Sequence, residues 1–445
     1  MHILKFGGTS VGSPGRMRHV AALITADDRP KIVVLSAVSG TTNKLVAIWE
    51  KAKQGAINEC LDAIATLKEE YRAFIKELLP EPGYTPLGHA IIDEQFAAMK
   101  EAIEQQPKSA EKTILAQGEL LSTRLFCTFL QMEGKAATLL PALEFMRLDE
   151  NDEPDVGAIA SGLDKLLKGH KGDSLFVTQG YICRNSDGAI DNLKRGGSDY
   201  TASLIGAAAK AREVQIWTDI DGMHNNDPRV VKNTFPIAEL SFEEAAELAY
   251  FGAKILHPSS IWPAQQYNIP VRLLNTMQPE ARGTLISNVE NKTGDIKAIA
   301  AKDGITAIKI KSTRMLLAYG FLRRIFEVFE QFKTPIDMIT TSEVAVSLTI
   351  DDTSKLSAIN EELSPFGKII IDYDQTIICI VGDMVADRKG IVNKIFQALG
   401  NVPVRMISYG GSKNNISILI DSVHKTEALE ALNEKLFVVA ASISK

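Results

Sequence analysis

A lysine followed by paired glycines and two hydroxyls stands near the start of the chain, in Lys5-Phe6-Gly7-Gly8-Thr9-Ser10-Val11-Gly12. Adjacent glycines let backbone approach a ligand closely, and the amides at a helix start favour an anion. The lysine adds a positive charge, so the string could cradle a phosphate. It is not the common P-loop, whose lysine follows its glycines. Nor does its glycine spacing fit the dinucleotide fingerprint. Taken by itself, the string also reads as an ordinary glycine turn between strand and helix.

Further clusters carry chemistry of the same kind. Ser36-Ala37-Val38-Ser39-Gly40-Thr41-Thr42-Asn43 is a hydroxyl-rich turn after a strand, and strand ends of that type hold ligands in open α/β sheets. Gln117-Gly118-Glu119 opens or interrupts a helix and offers one carboxylate. Arg195-Gly196-Gly197-Ser198-Asp199 repeats the device of a cation, two glycines and a helix start. Thr218-Asp219-Ile220-Asp221-Gly222 and Asp227-Pro228-Arg229 follow a strand, with Phe251-Gly252-Ala253-Lys254 beyond. Each has a plainer reading: Asp219 and Asp221 as turn formers, Arg195 as a surface charge, Glu119 as a helix N-terminal charge. Together, two glycine-cradled helix starts with adjacent cations match what a phosphoryl donor and an anionic acceptor require.

The elements that must position these residues alternate. Lys31 to Ala37, Ser174 to Ile182, Val214 to Thr218 and Val271 to Leu274 are apolar, β-branched runs of the kind buried in a parallel sheet. Helical stretches separate them: about Ser13 to Ala26, the alanine-rich Ser198 to Ala211, and one opened by the capping box Ser241-Phe242-Glu243-Glu244. The pattern predicts an α/β domain with a mostly parallel sheet over residues 1–290. A helical insertion at about 59–106, with Leu61, Ile64, Tyr71, Phe74, Ile75 and Leu78 at helical spacing, is read as scaffolding.

After a polar linker at Asn291 to Gly294 comes an internal repeat. Gly320 to Ile350 parallels Gly390 to Ile420 at an offset of 70 residues, matching Ile325-Phe326 to Ile395-Phe396 and Met338-Ile339 to Met406-Ile407. Each copy reads helix, strand, turn, strand, second helix. Two copies are too few for a solenoid and suit a duplicated ligand-binding or pairing module. The strand at Ile296 to Ala300 is free to pair within the second copy, which would interleave the modules.

Composition narrows the partners. A formal charge of −6 argues against nucleic acid as the main partner. Cys60, Cys127, Cys183 and Cys379 are widely spaced and read as buried, reduced thiols; with no His cluster, no metal site is expected. No apolar run approaches the ~18 residues of a membrane span. The N-terminus lacks a signal-peptide pattern, and the expected location is cytoplasmic.

The strings KFGGTSVGS, SAVSGTTNKL, QGELLSTRLF, RGGSDYTASL, WTDIDG…DPRVV and FGAKILHP resemble, in order and spacing, those of aspartate kinases of the amino acid kinase family. The repeat resembles their paired ACT modules, small βαββαβ (ferredoxin-like) domains expected at 296–372 and 373–445. The resemblance implies transfer of the ATP γ-phosphoryl group to the β-carboxylate of L-aspartate, the first step of lysine, threonine and methionine biosynthesis, with Mg²⁺. It assigns Lys5 and Asp199 to catalysis and Gly7, Gly8 and Ser36 to the phosphoryl group. Thr41, Glu119, Arg195 and Ser198 would hold aspartate, Glu119 taking its ammonium and Arg195 its α-carboxylate. Thr218, Asp219, His224, Arg229 and Lys254 would bind nucleotide, and Met315, Gly320, Asp337, Ser342 and Glu343 an amino-acid effector. Lysine is the effector of the most similar type, and a homodimer through the ACT modules is implied.

Two departures stand out. Met223-His224-Asn225-Asn226 replaces the usual aromatic tyrosine and two threonines, leaving His224 to face adenine. Leu317 and Ala318 replace the histidine and serine of lysine-inhibited relatives. With the chain ending at Lys445, a monofunctional enzyme is expected. The alternatives are a family member acting on glutamate, acetylglutamate or a nucleotide, and an amino-acid-binding regulator without turnover.

Overall fold

The β-branched run at Lys31–Leu35 forms a strand with all five residues buried, each apolar side chain contributing ~1.5–3 kcal/mol. Such strands centre the larger sheet of this computed structural model, which describes residues 1–105, 110–193, 196–252, 256–288, 295–312, 319–382 and 387–438. The chain divides into two compact units. The first comprises Met1–Met223, Ala238–Phe242 and Leu256–Asn288; the second comprises His224–Ile237, Glu243–Ile255 and Val289–Lys445.

In chain order the first unit begins with β1 (His2–Phe6), α1 (Pro14–Ile24), β2 (Lys31–Leu35) and α2 (Thr41–Lys53). Helices α3 (Ile57–Leu78), α4 (Thr85–Gln105) and α5 (Glu111–Met132) come next. Then follow β3 (Thr138–Leu140), α6 (Ala142–Phe145), α7 (Val156–Gly169), β4 (Leu175–Gln179), β5 (Ile182–Arg184) and β6 (Ile190–Asn192). Helix α8 (Gly197–Ala208), β7 (Glu213–Thr218) and β8 (Glu239–Ser241) lead to α9 (Phe242–Tyr250). The chain returns through α10 (Trp262–Gln266), β9 (Val271–Asn275) and β10 (Thr284–Ser287).

Among the described residues the larger sheet has the order β3-β4-β2-β1-β7-β9-β10-β8. Its neighbours are parallel except β9 and β10. The C-terminal ends of β1, β2, β4, β7 and β9 therefore open on one edge, where the loops with candidate residues emerge.

The second unit holds the repeat: β11 (Ile296–Lys311), α11 (Phe321–Gln331), β12 (Ile339–Thr341), β13 (Ala345–Ile350), α12 (Leu356–Leu363), β14 (Lys368–Gly382), α13 (Ile391–Leu399), β15 (Val404–Tyr409), β16 (Asn415–Asp421) and α14 (Lys425–Asn433). They form a sheet in the order β12-β13-β11-β14-β16-β15. The two long strands run antiparallel through both copies, with register shifts between Lys302 and Ala307 of β11. Ile296–Lys302 pairs with the part of β14 that borders β16, so each long strand serves both modules. Each copy has its own core: Ile308, Ile310, Ile325 and Leu348 in one, Ile378, Ile380, Ile395 and Ile418 in the other. These pairs stand 70 residues apart, and Gly320 and Gly390 both start their helices at φ 78°.

Two segments from within residues 1–290, His224–Ile237 and Glu243–Ile255, group with the repeat: Val231 of the first joins the core of the second copy, and Glu243 of the second accepts from Asn414 Nδ2. Glu244, the last residue of the expected capping box, forms an ion pair with Lys297 at 2.7 Å. Among the described residues no helix is long and apolar enough to cross a membrane. The four cysteines are free; Cys60, Cys183 and Cys379 are buried, and Cys127 is only half-buried.

Candidate active site

Lys5 leaves β1 at its C-terminal end, and its Nζ lies 2.7 Å from Asp199 Oδ1. Asp199 stands in the first turn of α8, whose N-cap Gly196 has φ 75° and whose first residue Gly197 has φ 40°. These are conformations that other residues rarely adopt, so the glycine pair is required for the turn that presents Ser198 and Asp199. Close packing fixes the N-terminal loop as well. A Cβ on Gly7 would lie 3.4 Å from Lys5 Nζ, and one on Gly8 would lie 3.0 Å from the Ala37 carbonyl oxygen. Ser10 Oγ is 2.8 Å from Thr276 Oγ1, tying the loop to the end of β9.

The turn after β2 joins the same constellation. Ser36 Oγ donates to Ser198 Oγ at 2.8 Å, and the Ser36 carbonyl accepts from Ser122 Oγ at 2.7 Å. Glu119 Oε1 accepts from the Ala37 amide at 3.2 Å, while Oε2 is buried without a hydrogen-bond partner. Burial pushes the Glu119 carboxyl up to about 8. Thr41, the first residue of α2, is buried and its Oγ1 lies 2.9 Å from the Tyr71 hydroxyl. Lys5, Gly7, Gly8, Ser36, Thr41, Glu119, Ser198 and Asp199 thus lie along one connected set of strand ends, helix starts and side-chain contacts. The set offers a cation, a glycine loop, hydroxyls and one poorly solvated carboxyl, suited to an anionic group and an ammonium.

Some expectations change. Gln117-Gly118-Glu119 neither opens nor interrupts a helix; it lies within α5, with all three residues buried. Glu119 is therefore not an N-terminal helix charge. Gly118 is needed there because a Cβ would come 2.8 Å from Ala37 Cβ. The helical insertion supports this turn, since α3 brings the Tyr71 hydroxyl to Thr41. Arg195, Lys254, Met315, Leu317 and Ala318 lie outside the described residues.

The remaining candidates are distributed over the two units. Thr218 ends β7 in the first, and its Oγ1 donates to Asp219 Oδ1 at 3.1 Å. His224 and Arg229 belong to the second. His224 Nδ1 is 3.0 Å from Thr234 Oγ1. Arg229 is exposed and paired with Asp227 at 2.8 Å, which holds the Asp227 carboxyl below its ordinary value. In the first module Gly320 starts α11, and Ser342 and Glu343 are exposed. Asp337 is buried beneath Lys302 Nζ at 2.6 Å and accepts from the Tyr250 hydroxyl at 2.9 Å.

Sequence reasoning missed Gly180 and Tyr181. A Cβ on Gly180 would fall 2.4 Å from Ser198 Oγ, so this glycine makes room for Ser198. Tyr181 has φ 67°, donates its amide to Thr201 Oγ1 at 2.8 Å, and lies against Gly197. A glycine directly after the β4 run was the available signal.

Comparison with known proteins bears on the fold and the family. The amino acid kinase family model matches residues 1–275, and an ACT domain model matches residues 378–436. Lysine-sensitive aspartokinase 3 of Escherichia coli is 33% identical over 448 residues, covering 98% of this chain and 99% of that protein. Aspartokinase 3, chloroplastic, of Arabidopsis thaliana is 35% identical over 463 residues, covering 98% and 81%. The crystal structure of E. coli aspartokinase III with lysine and aspartate has a TM-score of 0.84 to this fold at 32% identity, covering 98% and 99%. That of the same enzyme with aspartate and ADP has a TM-score of 0.82 at 33% identity, covering 98% and 100%.

Fold and site define an α/β phosphotransferase, and the chain belongs to the amino acid kinase family. Within that family it stands among the aspartokinases, ATP-dependent kinases of aspartate that carry C-terminal ACT modules.

Proposed function

We propose that Lys5, Asp199, Glu119 and their neighbours carry the transfer of the ATP γ-phosphoryl group to the β-carboxylate of L-aspartate. The bond from the γ-phosphorus to the bridging oxygen of ADP breaks as one β-carboxylate oxygen bonds to phosphorus, giving 4-phospho-L-aspartate and ADP. That carboxylate is ionised at neutral pH, so no proton has to be removed and catalysis rests on positioning and charge. Lys5 offsets charge on the transferring group, and Asp199 holds the ammonium in place. The Gly7 and Gly8 amides and Ser36 cradle the same oxygens. Glu119 takes the substrate ammonium, with Thr41, Ser198 and Arg195 completing the aspartate site.

Thr218, Asp219, His224, Arg229 and Lys254 serve the nucleotide, which brings Mg²⁺ on its phosphates. An amino-acid effector, lysine in the first instance, acts through the ACT modules at Met315, Gly320, Asp337, Ser342 and Glu343. Exposed residues of the edge strands, such as Ile339 and Ile407, suit pairing of two copies into a homodimer. The enzyme works in the cytoplasm.

The single observation that carries this reading is the Lys5–Asp199 pair at 2.7 Å, set at a glycine-built helix start. An aspartyl-hydroxamate assay with ATP and Mg²⁺ tests it. Product is expected with L-aspartate and not with N-acetylglutamate; a blank from folded protein would overturn the reading. Titration of lysine, threonine and S-adenosylmethionine into that assay identifies the effector, with inhibition by lysine expected.

A further inference from the structure

The 70-residue offset of the repeat carries Leu363, fully buried in the first copy, onto Asn433 at the end of α14. Ile359 and Leu429 keep an apolar core position between the copies, whereas Leu356 falls on exposed Thr426 and buried Leu432 on exposed Glu362. An amide at a core position is costly unless its polar atoms are bonded. Asn433 is 3% exposed, and its partners come from a segment about 200 residues away. Its Oδ1 accepts from Asn225 Nδ2 at 3.0 Å and from Asn226 Nδ2 at 3.5 Å. Its Nδ2 donates to the Asn233 carbonyl at 3.3 Å.

The other end of the contact is built as tightly. Asn225 is fully buried, and both its amide and its Oδ1 bond the backbone of Phe235. Its carbonyl accepts from the Ile299 amide of β11 at 2.8 Å. Asn226 Nδ2 also donates to the Leu429 carbonyl at 3.2 Å, and its Oδ1 accepts from the Asp227 amide. Asp227 in turn fixes Arg229 through both the Arg229 amide and its guanidinium. Phe235 closes the loop against Phe437, with ring centroids 5.9 Å apart. Asn225 and Asn226 are thus the residues that clamp this loop to the second module.

We propose that Asn433 is a positioning residue for the nucleotide: through Asn225 and Asn226 it fixes the loop carrying His224 and Arg229. This rests on the reading of His224 and Arg229 as nucleotide contacts. The aspartate residues Thr41, Glu119 and Ser198 belong to the other unit and are not served by this clamp.

Asn433→Leu tests the assignment, because it installs the residue the first copy has at this offset and keeps the branching and number of side-chain heavy atoms. It strips the Asn225 amide of its acceptor, so the loop is expected to lose its fixed register. The KM for ATP should rise about tenfold, with kcat and the KM for aspartate changed less than twofold. Asn433→Asp, which keeps the acceptor, should give a smaller rise. An unchanged KM for ATP in folded Asn433→Leu enzyme overturns the proposal, as does an equal rise in both KM values. Should Asn433→Leu not fold, Asn226→Ala decides on the same measurement, since it deletes one donor and leaves the Asn225 pair. Arg229→Ala runs in parallel. If it raises the KM for ATP while Asn433→Leu does not, the clamp is wrong; if neither does, the nucleotide reading of the loop fails and the clamp's role with it.

Discussion

Replacing Glu119 by Gln tests the aspartate site most directly, because the carboxyl is buried and only one of its oxygens is bonded. Its ordinary value is 4.5, and burial lifts it to about 8. At pH 7 about a tenth of the empty enzyme then carries the ionised form that an ammonium needs, and the apparent affinity falls by that fraction. The KM for aspartate should fall roughly tenfold from pH 6 to pH 7 and level off above pH 8. The stability effect has the opposite sense. A carboxyl with a raised folded value leaves stability untouched below its unfolded value of 4.5; stability is lost as pH climbs from there to about 8. At ~1.4 kcal/mol per unit the loss is on the order of 5 kcal/mol, and Glu119→Gln should abolish it. Hydroxamate kinetics and thermal melts between pH 5 and pH 9, on both proteins, measure the two effects. The variant should show a raised, pH-independent KM for aspartate, an unchanged KM for ATP, and a flatter dependence of Tm on pH. A variant with the parent's aspartate KM and the parent's pH profile would refute the reasoning.

Lys5→Ala should lower kcat on the order of a hundred- to a thousandfold, the usual scale for removing one group that stabilises transition-state charge. It should also lower Tm, since the pair is only 12% and 16% exposed and the variant leaves the buried Asp199 Oδ1 unpaired; steady-state kinetics beside a melt check both. Gly180→Ala should cost about 1–3 kcal/mol and raise the KM for aspartate, because the new Cβ would sit 2.4 Å from Ser198 Oγ. An unchanged Tm and KM there would show that Ser198 is not held as the structure has it.

The periodicity of apolar residues determined the α/β class, the helical insertion and the repeat, because buried strands and helix faces write their periods directly into the chain. The glycine pairs at Gly7-Gly8 and Gly196-Gly197 were legible for a related reason, since close backbone approach and positive φ leave few other residue types. Only the tertiary structure decided that Glu119 is a buried carboxyl inside α5. Local sequence cannot tell a helix interior from a helix start when burial comes from Ala37, some 80 residues away. Tyr71 and Asn433 were silent for the same reason: each acquires its role from a partner on a distant element. Leu363 and Asn433 occupy equivalent places in the repeat, and the difference between them makes sense only once Asn225 and Asn226 are seen folded against the second copy.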